Sequence, residues 1–313
     1  MNTIYDLTTI VPELKRDLEE LVKTGQMNEA MKLTKEFSAI IGKPIYFAHF
    51  GSPHFPTRNF EAPTVFVHLN PGASVGDTSN FDTFFSQKWN KVDFYNQHRL
   101  KNNSTIEEII EKYAYDWEWY ARNRFDRDNQ RDNFDFKQAC FLKGFPDNGI
   151  DLKDGHDYEI QKNNSINVID QKLQLELFPY SSNSIDTSLL NVIIRKKPEL
   201  IIPYINRLLD LITIYPHKYI LFGSRIYDTL FKFYDNNIER IIEYISPEQR
   251  FEGITKNALT FSFIRLKWKN KIIDAGIANS FPRRDLPNAY AKMEMYGKLC
   301  ADYYISEQLK LNK

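Results

Sequence analysis

Cysteine is nearly missing from this chain of 313 residues: only Cys140 and Cys300 occur, far apart and outside any CxxC spacing. That argues against a disulfide framework and a thiolate metal cluster, and makes a reducing cytosol the default compartment. Neither sign of charge is in excess, because 41 Lys and Arg balance 41 Asp and Glu. No global field therefore draws nucleic acid, membrane or acidic ligands, although a local basic face can sit inside a neutral total. No apolar run approaches the ~18 residues of a membrane span, and the first residues carry no basic-then-apolar pattern. A soluble, cytoplasmic protein is expected.

The signatures of several large enzyme classes are missing too. There is no GxxxxGKS, GxxxxGKT or GxGxxG loop to cradle phosphate, and no HExxH metal motif. Gly223-Ser224-Arg225 lacks the flanking glycines of a nucleophile elbow, so Ser224 reads as a helix cap. His49 and His54 lie five apart with no third ligand nearby. His68 falls inside an apolar strand and reads as a hydrogen-bonded core imidazole.

What the chain does have is apolar and aromatic mass, 42% and 14% of its residues, enough for a sizeable core with aromatics left for a cleft. Val65 to Leu69 is a short apolar run that breaks into Asn70-Pro71-Gly72. Such a run, closed by turn formers, predicts a strand of a buried parallel sheet followed by a ligand loop. Upstream, Leu14, Leu18, Leu21 and Val22, then Ala30, Leu33, Phe37 and Ile40, predict a helical hairpin over 10–42. Downstream, Asn80–Trp89 predicts a short helix. Thr105–Arg124 predicts a longer one, with Ser104 or Thr105 and Glu107 or Glu108 forming a capping box. Residues 77–165 read as a helical insertion over the mouth of the fold.

Leu173, Leu175 and Leu177 alternate with Gln174 and Glu176 in a second strand that ends at Phe178-Pro179. Residues 183–216 read as helical, interrupted by Pro198 and Pro203. Lys218–Ser224 is a third strand, running into a helix over 225–233. Leu259–Trp268 and Lys271–Ala278 form a β-pair joined at Lys269-Asn270, and a last helix covers 289–308. Strands alternating with helices predict an α/β fold: three layers, α/β/α, with a mainly parallel central sheet. The expected organisation is a helical extension over 1–62 and an α/β domain over 63–313 carrying the insertion. Right-handed connections then gather the strand exits on one rim.

The polar groups at those exits are amides and a carboxylate. The Asn70 carbonyl can orient a water without being a strong base, which suits a substitution in which the leaving group departs early and a cation forms. Glycosidic cleavage has that character. For a nucleoside bond the departing base takes the charge, so donors aimed at it contribute most. A flipped base also needs a stacking partner and a reader, and Phe178 is the candidate for the first and Glu176 or a neighbour for the second.

Leu69-Asn70-Pro71-Gly72 resembles the first motif of the uracil-DNA glycosylase superfamily, closest to the mismatch-specific branch with its Gly-Ile-Asn-Pro-Gly. Leu173-Gln-Leu-Glu-Leu-Phe-Pro-Tyr180 resembles that superfamily's second strand, and Ile220-Leu-Phe-Gly-Ser-Arg225 its third. Ala278-Asn-Ser-Phe-Pro-Arg-Arg-Asp-Leu-Pro287 resembles the fourth-strand motif and its DNA-wedging loop. The resemblance covers about residues 63–75 and 170–305. It implies a DNA glycosylase-like hydrolase in which Asn70 positions water and Pro71 and Gly72 shape the substrate loop. Ser280 would contact a phosphate, and Leu286 with Arg283 or Arg284 would enter the base stack. The implied partner is DNA, and the mechanism needs neither a metal nor an organic cofactor.

Two departures sharpen this. Ala278 stands where the family has His or Asn, and Asn279 replaces the following Pro, so leaving-group stabilisation falls to Asn279 or another residue. Glu176 stands near the family's base-reading Asn. An ionised Glu only accepts, which matches the amine of cytosine, adenine or a modified base better than uracil. Two alternatives stay open: a catalytically silent nucleic-acid-binding or regulatory protein on the same fold, and a small-nucleotide hydrolase. If DNA is the ligand, Arg283, Arg284 and Lys267 are expected to form one positive face around Asn70.

Overall fold

The computed structural model describes residues 12–24, 28–43, 45, 60–69, 101, 103–105, 108, 134–155, 157–178, 185, 187–223, 226–279 and 290–313. In chain order its elements are α1 (Pro12–Thr24), α2 (Asn28–Ile41), β1 (Thr64–His68), α3 (Phe134–Leu142), α4 (Tyr158–Gln171) and β2 (Leu173–Glu176). They continue with α5 (Thr187–Lys196), α6 (Pro198–Ile214), β3 (Tyr219–Phe222), α7 (Ile226–Asn237), β4 (Ile242–Ile245) and β5 (Gln249–Phe251). The last are β6 (Leu259–Trp268), β7 (Lys271–Ala278) and α8 (Tyr290–Leu311). They belong to two compact units with interleaved segments. One comprises Met1–Arg58, Leu69–Trp117 and Glu176–Leu208; the other comprises Asn59–His68, Glu118–Leu175 and Leu209–Lys313.

In the first unit, α2 packs on α5. Phe37 is fully buried and meets the edge of Phe178 at 5.4 Å between ring centroids, and Lys197 pairs with Glu36 at 2.5 Å. Thr105 and Glu108 form the expected capping box: the Thr105 N–H donates to Glu108 Oε2 at 3.0 Å and the Glu108 N–H to Thr105 Oγ1 at 3.2 Å. The body of the helix expected after it, and the one expected over 80–89, lie outside the described residues. Pro198 separates α5 from α6 as expected, but Pro203 does not interrupt α6. It sits inside the helix on the exposed face, and the loss of one helical N–H is offset by the buried face of Ile201, Ile202, Ile205 and Leu208.

The second unit holds the seven-stranded sheet, in the order β2-β1-β3-β7-β6-β4 with β5 also on β6. β1 pairs with β3 and β3 with β7 in parallel, while β6 is antiparallel to β7, β4 and β5. Every residue of β1 and of β3 is buried, the signature of strands covered on both faces. Tyr219 and Leu221 point to a core shared with Phe66, Phe261 and Phe263, with Phe141 of α3 and with Tyr296 and Tyr304 of α8. Phe222, one residue out of phase, turns to the other face, where it stacks on Tyr227 of α7 at 4.0 Å. Helices therefore cover both faces of this sheet, and the α/β expectation holds.

Two local features go beyond the sequence pattern. β2 is buried along its whole length, Gln174 and Glu176 included at 1% and 4% exposure, so its polar residues do not face solvent. Residues 134–142, inside the segment read as an insertion, form α3, whose Ala139, Phe141 and Leu142 complete the main core. α3 and α8 approach backbone to backbone: a Cβ added at Gly297 would lie 1.9 Å from the Phe141 carbonyl oxygen, and one at Gly144 2.1 Å from the Lys298 nitrogen.

Candidate functional site

The pairing of β1, β3 and β7 puts Val67, Phe222 and Ile277 in one row across the sheet. The next row is His68, Gly223 and Ala278, and the chain leaves all three strands along a single rim. β1 and β7 are two strand spacings apart there, roughly 10 Å. Within the first unit, the Phe178 N–H donates to the Leu69 carbonyl at 2.9 Å. The carboxyl rim of β1, β3 and β7 is where open α/β sheets hold ligands.

Of the residues read from sequence, Asn279 occupies the rim directly after β7. Its side-chain oxygen accepts from the Thr260 N–H at 2.7 Å, and its own N–H donates to the Tyr296 hydroxyl at 3.0 Å. With the oxygen engaged, the Nδ2 hydrogens are what Asn279 can offer a ligand, as an uncharged donor. Glu176 ends β2, buried, and its carbonyl accepts from the Tyr204 hydroxyl. Phe178 is fully buried against Phe37, so stacking a base on it requires that ring pair to open. Asn70, Pro71, Gly72, Ser280, Arg283, Arg284 and Leu286 lie outside the described residues.

Lys267 does not belong with the rim residues. It pairs with Ile272 near the start of β7, whereas Ala278 at the rim pairs with Phe261. Six residues along β6 separate Lys267 from that level, roughly 20 Å at strand rise. The reason is the antiparallel turn at Lys269-Asn270, which puts the end of β6 at the opposite edge.

Two polar residues linked to His68 from behind the rim, Gln138 and Lys172, were not legible as site residues. Lys172, immediately before β2, is fully buried. Its Nζ donates to Gln138 Oε1 and, at 2.5 Å, to Gln174 Oε1, and it lies 5.4 Å from the Phe66 ring centroid. The Gln138 amide nitrogen lies 2.7 Å from His68 Nε2. His68 is thus the hydrogen-bonded core imidazole expected, but its partners come from a helix and a strand start far away in sequence. The only clue was a glutamine set in the apolar run Gln138-Ala-Cys-Phe-Leu142.

At the opposite, amino rim a cleft of about 540 Å³ opens between the end of α6, the start of β7 and the end of α8. Thr213, His217, Lys218, Lys271, Asp274 and Gln308 supply its polar lining. His217 Nδ1 hydrogen-bonds the Ala62 carbonyl at 2.7 Å. A carbonyl only accepts, so Nδ1 carries the ring proton and Nε2 is the bare nitrogen of the neutral form. Burial holds this imidazole below its ordinary value of 6.5, against the smaller opposing effect of the Ala62 bond. Cys140 and Cys300 are free and buried, and burial, with Glu294 as a second cause, pushes the Cys140 thiol up to about 12.

Among the described residues no group of three or more His, Cys, Asp or Glu is placed to hold a metal ion, and no helix is long and apolar enough to cross a membrane. Compared with protein-family models, curated proteins and solved structures, the chain gives no significant match.

Proposed function

We propose that this chain is a DNA glycosylase-like hydrolase that flips a nucleotide and cleaves its N-glycosidic bond, acting on an amine-bearing or modified base and not on plain uracil. The observation that carries this reading is Asn279. At the β7 exit its amide oxygen is tied down by Thr260, which leaves Nδ2 as a fixed uncharged donor on the same rim as the β1 exit. A donor of that kind can stabilise charge on a departing base without a proton transfer. Asn70 would orient the attacking water, with Pro71 and Gly72 shaping its loop. Ser280 would hold a neighbouring phosphate, and Arg283, Arg284 and Leu286 would contact or wedge the DNA. Glu176 would read an exocyclic amine and Phe178 would stack on the flipped base.

The test is a base-release screen on single- and double-stranded oligonucleotides carrying uracil, cytosine, adenine and modified bases. Release from an amine-bearing or modified base is expected, with a loss of about 100-fold in both Asn70→Ala and Asn279→Ala, the usual effect of removing one preorganised polar group. Equal release by wild type and Asn70→Ala defeats the catalytic reading. Efficient uracil release that Glu176→Gln leaves unchanged defeats the base-reader assignment.

A second reading, a catalytically silent nucleic-acid-binding protein, is favoured by the burial of Glu176 and Phe178. It is the outcome if oligonucleotides bind tightly and no base is released from any of them.

A further inference from the structure

His68, Gln138 and Lys172 are each at most 4% exposed, and each donates or accepts in one line. The direction of that line follows from chemistry. Lysine has only donors, so the Gln138 group facing Lys172 Nζ must be the carbonyl oxygen. The other end of the same amide is then its NH2, and it donates to His68 Nε2. A nitrogen that accepts a hydrogen bond carries no proton, so His68 is neutral with its proton on Nδ1.

Packing fixes the ring plane as well. His68 stacks on Phe66 at 5.7 Å with an interplanar angle of 4°. On the β3 side, a Cβ built at Gly223 would lie 3.2 Å from His68 Nδ1. Glycine at 223 therefore leaves room for the ring edge at the rim. The Tyr227 hydroxyl donates toward the His68 carbonyl at 3.3 Å from the other side. Among the described residues, His68 faces the neutral Gln138 of α3, Gly223 after β3 and the Tyr227 phenol of α7, with the Lys172 ammonium one amide further away.

We propose that Lys172, Gln138 and His68 are positioning residues of the carboxyl rim: the buried ammonium sets the Gln138 amide, the amide sets the His68 tautomer, and the neutral ring fixes the end of β1 from which Asn70 follows. The role in catalysis rests on the glycosylase-like reading; the state of the ring does not. A neutral ring at this point also keeps an added positive charge away from a reaction that develops a cation on the sugar. A unit charge roughly 10 Å away would slow such a step on the order of tenfold at an effective dielectric near 20.

Gln138→Glu is the informative variant, because it keeps the shape of the side chain and its bond to Lys172 while replacing the donor that faces His68 with an acceptor. Long-range 1H–15N spectra of His68 from pH 5 to 8 are expected to give a protonated Nδ1 and a bare Nε2 throughout in the wild type. In Gln138→Glu the proton moves to Nε2. A wild-type ring protonated on Nε2, or titrating near the ordinary imidazole value, overturns the relay. In the base-release assay Gln138→Glu is expected to lower kcat at least tenfold with KM unchanged, and the wild-type profile is expected to lack an imidazole inflection. Unchanged kcat in a variant whose tautomer has switched overturns the positioning role. No release by wild type from any oligonucleotide counts against the glycosylase reading alone, since the spectra judge the relay independently.

Discussion

At the scale of single residues, the chemistry of this molecule is decided by which polar groups are held and by what. Arg265 and Asp274 stand directly opposite on β6 and β7, joined by two hydrogen bonds of 2.6 and 2.7 Å with side chains 14% and 13% exposed. Arg265→Leu leaves a mostly buried carboxylate, so a loss of about 3 kcal/mol is expected in urea unfolding. Replacing both by leucine is expected to cost clearly less, because no charge is then stranded. Residue-level legibility was uneven for the same reason. The place of Asn279 at a strand end was readable from the apolar residues of β7 before it. Lys172 was not, since nothing adjacent to it in sequence reveals that two glutamine oxygens wait for its ammonium. The alternation of Gln174 and Glu176 with leucines does not by itself say where those polar side chains point. In the fold β2 is buried on both sides, polar residues included.

At the scale of elements, patterning served well where strands were long or apolar. The β6–β7 hairpin falls on the expected residues, and β1 and β3 were visible as apolar runs. β4 and β5 were missed because Ile242–Ile245 and Gln249–Phe251 are short, partly charged and held chiefly by pairing with β6. Helix crossing is likewise invisible in a periodic pattern. Gly297 lies inside α8, where alanine would ordinarily add about 1 kcal/mol of helix stability. Here the added methyl would meet the Phe141 carbonyl at 1.9 Å. Backbone cannot swing aside as a side-chain tip can, so steric cost wins. Gly297→Ala is expected to destabilise by about 3 kcal/mol or more, read as a lower melting temperature. Gly253→Ala is a control of another kind. Nothing lies within 4 Å of its added Cβ, and its φ of 78° leaves only conformational strain of about 1 kcal/mol.

At the scale of the whole molecule, pH is the accessible lever. His217 is depressed in the folded state by burial. Its contribution to stability is therefore full above the ordinary imidazole value and is lost as pH falls through the lower folded value. Thermal melts from pH 7.5 down to 5 are expected to decline less steeply in His217→Gln than in the wild type; parallel declines would refute the assignment. The sheet order has a further consequence, for synthesis on the ribosome. β7 is among the last strands to emerge, yet it lies between β3 and β6 in the finished sheet. The parallel and antiparallel halves are thus bridged only when residues 271–278 arrive, and a nascent chain stopped at 270 would hold β1, β3 and β6 with their seam open. Such a product is expected to need protection from self-association until the last strand closes it.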